Sequence, residues 1–71
     1  MATPLTVAAA LRAATARLAT SDSARLDAEL LLAHCTGWSR ARVFIEGDRV
    51  LADDVRTRFD GLCAERAAGV P

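Results

Sequence analysis

The amino-acid sequence predicts an all-α protein, a small bundle of four to five helices. Three observations support this prediction. Apolar residues recur with a helical period of about 100° per residue through most of the chain. Residues that cap helices stand before these periodic segments, and glycines stand after several of them. No stretch shows the strict alternation of apolar and polar residues that marks a half-buried strand. The short connections favour antiparallel neighbours in a bundle.

The composition limits the classes of protein that the sequence can encode. We expect residues 1–71 to form one domain, because 71 residues are too few for two. Nine basic and nine acidic residues cancel, which argues against a nucleic-acid-binding surface. No apolar run approaches the roughly 20 residues that a membrane helix needs. Cys35 and Cys63 both fall in apolar helical patterns, as reduced, buried cysteines do. We therefore expect a cytoplasmic monomer.

The first predicted helix carries one narrow apolar stripe. Thr3 or Thr6 can cap its start, and Pro4 suits a first helical turn. Residues 1–21 contain two arginines and no acid, a composition that also occurs in organellar transit peptides. The regular stripe favours a bundle helix instead. Its members are Val7, Leu11, Ala14 and Leu18.

The second predicted helix is the central one and covers about residues 24–35. Ser23 is its expected cap, and Gly37 supplies a left-handed C-terminal stop. A helical wheel gives this helix two apolar faces, and a helix that is apolar on two sides is buried on two sides. One face holds Leu26, Leu30 and Ala33, and the other holds Ala28, Leu31, Leu32 and Cys35.

Two narrow polar strips separate these apolar faces. Arg25 and Glu29 form one strip and are spaced to make an ion pair. Asp27 and His34 form the other, with Asp27 in the first turn, where a carboxylate meets the positive end of the helix. Half-buried charges need partners. The candidate partners are loop backbone groups and the side chains of Arg40 and Arg42.

The third predicted helix is short. Ser39 caps it, it runs from Arg40 to about Glu46, and Gly47 ends it. A fifth helix would require residues 19–23 or 48–52 to be helical as well, since both segments otherwise form turns. The core contacts of the third helix would be Val43 and Phe44.

The fourth predicted helix starts at Asp53 and Asp54, whose charges suit a helix N-terminus. Asp54 and Arg58 have the spacing of an i,i+4 ion pair, worth a few tenths of a kcal/mol. Gly69 and Pro71 close the helix. Its apolar side comprises Leu51, Val55, Phe59, Leu62 and Cys63.

The chemically reactive residue types do not converge on a catalytic, cofactor or metal site. His34 and Cys35 are adjacent and point about 100° apart on a helix, so they cannot share one metal ion. Asp27 and Glu29 are two residues apart on nearly opposite faces and make a poor acid/base pair. Trp38 fits either the edge of the core or a partner contact. Further candidate partner contacts are Arg12, Arg17 and Arg56.

One stretch resembles a known family. Residues 25–37, RLDAELLLAHCTG, and the following Arg40 resemble the N-terminal domain of the HemK/PrmC protein-glutamine methyltransferases, which read roughly Arg-x-Asp-Ala-Glu-x-Leu-Leu, then His and Gly. The ending RAAGVP resembles the family's Arg-x-x-Gly-Glu-Pro linker, with Val70 in place of the usual Glu. The resemblance spans about residues 5–71. Its matching residues are Arg25, Asp27, Ala28, Glu29, Leu31, Leu32, His34 and Gly37.

The resemblance implies a role in methyl transfer. Intact enzymes of this family transfer a methyl group from S-adenosylmethionine to the glutamine amide of the Gly-Gly-Gln motif in peptide-chain release factors. Their catalytic domain follows the helical domain and carries an Asn-Pro-Pro-Tyr motif, which does not occur in this sequence. The resemblance therefore implies a helical domain that holds the release factor, with S-adenosylmethionine bound only by the intact enzyme. We expect structural roles for the motif residues Arg25, Asp27, Glu29, His34, Gly37 and Arg40, because they do not converge on one site.

Two alternatives belong to other classes of protein. Asp22 and Ser23 before a helix resemble the Asp-Ser-Leu attachment site of small acyl carriers, but no leucine follows Ser23 and the chain lacks their strong negative charge. The other alternative is a free-standing helical module that binds a protein partner.

Overall fold

A computed structural model describes residues 4–19 and 22–69. This part of the chain contains four helices: α1 (Val7–Arg17), α2 (Ala24–Thr36), α3 (Arg40–Ile45) and α4 (Asp53–Ala67). The all-α prediction is confirmed. Residues 48–52 are not helical, nor are residues 19, 22 and 23, while residues 20 and 21 lie outside the described ranges. Within the described residues, no helix is long and apolar enough to cross a membrane.

The start of α1 is capped by Thr6, whose hydroxyl accepts a hydrogen bond from the Ala9 N–H over 3.2 Å. This agrees with one of the two predicted caps, and the other, Thr3, lies outside the described residues. Pro4 precedes the cap and lies outside the helix. The prediction that Pro4 occupies the first helical turn is therefore wrong.

A short backbone pairing joins the start of α1 to residues 47–51. The Val7 N–H donates to the Arg49 carbonyl over 2.8 Å, and the Ala8 N–H donates to the Gly47 carbonyl over 2.9 Å. These bonds satisfy two of the amides that every helix start leaves without an internal partner. The sequence indicated only a turn here, because backbone pairing of this kind leaves no pattern in the side chains.

Gly37 ends α2 as predicted, with φ +76° and its N–H bonded to the Ala33 carbonyl over 2.9 Å. Ser23 occupies the expected N-cap position, and its carbonyl accepts from the Asp27 N–H over 2.8 Å. The Ser23 hydroxyl, however, makes no capping bond. A capping hydroxyl needs an extended backbone, and Ser23 has φ −118° and ψ 37°.

The core is one cluster of buried side chains to which all four helices contribute. Helix α2 packs against each of the other three helices, as expected of a central helix. The stripe predicted for α1 is buried in this cluster. The cluster comprises Val7, Ala10, Leu11, Ala14, Leu18, Ala28, Leu32, Cys35, Val43, Leu51, Phe59 and Cys63.

The second apolar face of α2 is largely exposed, so the prediction that α2 is buried on both faces is wrong, although Ala33 on this face packs against the core. Leu26 is 39% exposed and Leu30 is 49% exposed, whereas Ala28 and Leu32 on the opposite face are fully buried. A helical wheel shows which residues share a face, but it does not count the helices available to cover that face. In the described part of the chain the neighbouring helices gather on the side of Ala28 and Leu32.

The prediction that Phe44 contacts the core is also wrong. In α3 only Val43 is buried, while Phe44 is 79% exposed and Ile45 is 75% exposed. A helix of six residues meets the rest of the bundle along one side, and neighbouring side chains point about 100° apart. The Ser39 hydroxyl caps this helix as predicted, accepting from the Arg42 N–H over 3.1 Å.

Helix α4 begins at Asp53 and is followed by Gly69 with φ +80°, as the sequence indicated. Pro71, the second predicted stop, lies outside the described residues, as does Val70. The predicted pair between Asp54 and Arg58 does not form. The Arg58 guanidinium instead lies against α2.

Candidate functional site

Glu29 is the centre of a small ion-pair network. Its Oε2 accepts from Nε of Arg25 over 2.9 Å, and its Oε1 accepts from Nη2 of Arg40 over 2.9 Å. The side chain of Glu29 is 20% exposed, against 50% for Arg25 and 54% for Arg40. The hydrogen bond from Arg25, followed by that from Arg40, lowers the pKa of Glu29 below its ordinary value. Glu29 is therefore charged throughout the neutral range.

This network joins two helices. Arg25 and Glu29 lie one turn apart on α2, and Arg40 is the first residue of α3. The network thus brings together three motif residues that span sixteen positions of the sequence. Partly exposed ion pairs contribute about 0.2–1 kcal/mol each, so the network fixes the position of α3 more than it stabilises the fold. We name these three residues the α2–α3 edge.

The second polar strip of α2 faces α4. Asp27 Oδ1 lies 3.5 Å from Nη2 of Arg66, and His34 Nε2 lies 3.5 Å from Nη2 of Arg58. Asp27 is well shielded, with a side chain only 12% exposed. These four residues form the α2–α4 edge. Each polar strip of α2 therefore contacts a different neighbouring helix.

The cysteines and acids of the described residues do not come together in a reactive or metal-binding cluster. Cys35 and Cys63 are buried free thiols, and burial raises the pKa of both above the ordinary value for cysteine. Both thiols are therefore protonated at neutral pH, which makes them poor nucleophiles. Among residues 4–19 and 22–69, no three His, Cys, Asp or Glu side chains are placed to hold a metal ion.

A groove of about 500 Å³ lies between α2 and α3, and we name it the α2–α3 groove. Its floor includes Leu11 and Val43, which belong to the core. Its walls combine the ion-pair network with the outer apolar side chains of α3. The wall residues are Arg25, Glu29, Arg40, Ala41, Phe44 and Ile45.

A second groove, of about 450 Å³, lies between α1 and α4. It contains two of the arginines that the sequence marked as candidate partner contacts, Arg17 and Arg56. Arg17 pairs with Asp60 across the groove, at 2.5 Å. Arg12, a third candidate, is exposed on α1 and lines neither groove.

Trp38 lies apart from these arginines and is half-buried. The guanidinium carbons of Arg42 and Arg49 lie 4.8 Å and 5.5 Å from its ring centroid, within the range of cation–π contacts. Trp38 also lines a depression of about 190 Å³ together with Val50 and Val55. The four residues proposed from the sequence as a partner surface therefore do not form one continuous site.

The sequence did not predict the exposure of Phe44 and Ile45, which are the most exposed large apolar residues of the described chain. It assigned Phe44 to the core and gave Ile45 no role. The available signal was the shortness of the predicted third helix. A helix of fewer than two turns with three consecutive large apolar residues cannot bury all of them against one side.

Comparison with known proteins places these features in a family. The family model described as the PrmC N-terminal domain matches residues 9–71. The chain is 43% identical over 68 residues to the release factor glutamine methyltransferase of Burkholderia pseudomallei, a match that covers 96% of this chain and 21% of the relative. It is 39% identical over 61 residues to the enzyme of that name from Escherichia coli, covering 86% of this chain and 22% of the relative.

A third relative, the release factor glutamine methyltransferase of Shewanella oneidensis, is 38% identical over 72 aligned positions, covering 100% of this chain and 25% of the relative. The chain thus spans about a fifth to a quarter of the length of these curated relatives. No solved structure is a significant match to the chain. The matched region contains both edges of α2 and the α2–α3 groove.

Proposed function

The chain belongs to the PrmC N-terminal domain family, and from that premise we propose that it is the substrate-recognition domain of a protein-glutamine methyltransferase acting on peptide-chain release factors. The observation that carries the proposal is the family match over residues 9–71, supported by relatives that bear the name release factor glutamine methyltransferase. Membership in this family argues against the acyl-carrier alternative. The proposal implies a cytoplasmic location, because release factors act in translation.

The proposed role fits a small helical bundle in which the acids of α2 are paired and the thiols are buried. The two acids of α2 pair with arginines of α3 and α4, Arg25 pairs with Glu29 within α2, and both thiols are buried. Such a domain supports catalysis by binding the substrate protein away from the reacting atoms. Binding energy of that kind holds the reactive side chain in place and raises kcat/KM.

The methyl donor proposed for the whole reaction is S-adenosylmethionine, a sulfonium cation with ribose hydroxyls. The two larger grooves of the described chain do not fit it. Their carboxylates, Glu29 and Asp60, are already bound to arginines, and those arginines would repel a sulfonium. We therefore assign no residue of this chain to the donor, and we propose that it binds in a separate catalytic part of the methyltransferase.

A domain-exchange experiment tests the proposed function. This chain replaces the corresponding N-terminal segment of the B. pseudomallei relative, and methylation of a purified release factor is compared with that by the same relative lacking the segment. We expect the exchanged protein to methylate, and the shortened one to show a KM for the release factor raised about tenfold or more. Equal KM values for the two proteins would overturn the recognition role.

A direct titration separates recognition from catalysis. The isolated 71-residue chain is titrated with a release factor in a calorimeter, with bovine serum albumin as the protein control. Saturable binding to the release factor alone supports the proposal. If the chain binds neither protein, the release factor is not its partner and the proposed function is wrong.

A further inference from the structure

The α2–α3 groove combines two properties that mark a docking surface. The first is exposed apolar area at its wall, where Phe44 is 79% exposed and Ile45 is 75% exposed. Side chains as exposed as these contribute little to the stability of the bundle. Contiguous exposed apolar surface on a small protein marks an interaction site more often than chance.

The second property is a pair of oriented cations. Arg25 and Arg40 each bind Glu29, which keeps both guanidiniums at the groove while their side chains remain half-exposed. A guanidinium carries five N–H donors, so each arginine retains donors for a second carboxylate. Two arginines and one carboxylate leave a net positive charge. That charge faces outward, because Glu29 is the least exposed of the three.

We propose that the α2–α3 groove is where the release factor docks, receiving an apolar side chain against Phe44 and Ile45 while flanking carboxylates of the same segment bind Arg25 and Arg40. This inference rests on the proposed function and adds to it a surface and a partner chemistry. The charge of the groove selects an acidic segment, and its exposed apolar wall requires that segment to carry an apolar residue as well.

The other two depressions are less suited to this partner. The groove between α1 and α4 is also lined by two arginines and one carboxylate, Arg17, Arg56 and Asp60, but no large apolar side chain of the described residues is exposed at its wall. At Trp38, two guanidiniums already lie over the ring. Only the α2–α3 groove combines outward positive charge with exposed Phe or Ile side chains within the described residues.

The test is a calorimetric titration of the 71-residue chain and its variants with a purified release factor. Phe44→Ser and Ile45→Ser remove the apolar wall without touching the buried core. We expect each to weaken binding about tenfold or more. The matched control is Val50→Ser, because Val50 is also a large apolar residue, 55% exposed, and lies outside the groove. We expect its affinity to stay within about twofold of wild type.

A second pair of variants tests the charge. Arg40→Gln should weaken binding and reduce its dependence on ionic strength between about 0.05 M and 0.3 M, because one charged contact is lost. Arg12→Gln removes an exposed arginine that lies outside the groove and should change neither quantity. Circular dichroism melting of each variant checks that the chain remains folded.

Each outcome is decisive. If the wild-type chain binds and the Phe44 and Ile45 variants bind equally well, the groove assignment is wrong while the proposed function stands. If the wild-type chain does not bind a release factor at all, both fail. If the wild-type chain sediments as a dimer and the variants as monomers, the groove is a self-association site and the docking proposal is overturned.

Discussion

The two edges of α2 differ in what they leave exposed. At the α2–α4 edge, Asp27 and His34 lie 3.5 Å from arginines of α4, and the described residues of α4 expose no large apolar side chain. At the α2–α3 edge, Glu29 makes two bonds of 2.9 Å, and the adjoining helix presents Phe44 and Ile45 to solvent. The same kind of polar strip thus closes the bundle on one side and borders an open apolar groove on the other.

This difference separates residues that maintain the fold from residues available to a partner. Both strips contain an acid and both reach arginines, so residue type alone does not distinguish them. The distinction comes from the length of the neighbouring helix. Helix α4 has fifteen residues and lies along α2, whereas α3 has six residues and buries only its own Val43.

The largest expected effect comes from Leu32→Ala on the core face between the two edges. Leu32 is fully buried, and truncating a buried leucine costs about 2–5 kcal/mol in the free energy of unfolding. For a small domain that loss is a large part of the total stability. Urea unfolding followed by circular dichroism measures it.

The matched control is Leu30→Ala on the same helix, where the leucine is 49% exposed. We expect a loss below about 1 kcal/mol, because little apolar area is removed from the interior. Equal losses in the free energy of unfolding at the two positions would contradict the placement of Leu30 on the exposed apolar face of α2.

The sequence predicted those parts of the fold that depend on local chemistry. Thr6 and Ser39 cap helices as expected, and Gly37 adopts the left-handed conformation that ends α2. It did not predict that Leu30 and Phe44 are exposed, because periodicity shows which residues share a face and not how many helices cover it. The ion pair of Arg25 with Glu29 was foreseeable from its spacing.

The contacts that the sequence did not predict depend on packing between residues that lie far apart in the chain. Arg58 contacts His34 on α2, although its spacing favoured Asp54 on its own helix. The α2–α3 groove is formed by residues from separate helices, and only its ion pairs were anticipated. The motif that resembled the HemK/PrmC family indicated a role, but it did not indicate which surface carries that role.

A smaller effect is expected at the turn that places α3. Gly37 has φ +76°, which costs an L-residue about 1 kcal/mol, so Gly37→Ala should destabilise the fold by about that amount. The control is Gly61→Ala in the exposed middle of α4, where a Cβ meets nothing within 4 Å. That change should stabilise by about 0.5–1 kcal/mol. Thermal melting of both variants gives the signs, and the same sign for both would contradict this account of the turn.

The smallest effect is expected from Glu29→Gln, which acts on the α2–α3 edge alone. The pKa of Glu29 is lowered in the folded state, so its ion pairs stabilise the chain above the unfolded-state pKa. This contribution, about 0.2–1 kcal/mol for a partly exposed pair, disappears as the pH falls through the folded-state pKa.

The variant should therefore be less stable than wild type at pH 7, and the difference should vanish in acid. Urea unfolding at a series of pH values from about 7 down to about 2 checks this, because the difference is lost only as the pH falls through the lowered folded-state pKa of Glu29. A difference that persisted at the lowest pH would mean that the Glu29 network stabilises the chain by something other than charge.

The most direct test of the account is an NMR titration of the ¹⁵N-labelled chain with a substoichiometric unlabelled release factor. We expect amide signals to weaken most at the α2–α3 groove, in residues 25–30 and 40–45, while those of residues 58–66 on α4 change least. Losses concentrated on α4 or on the groove between α1 and α4 would contradict the docking proposal.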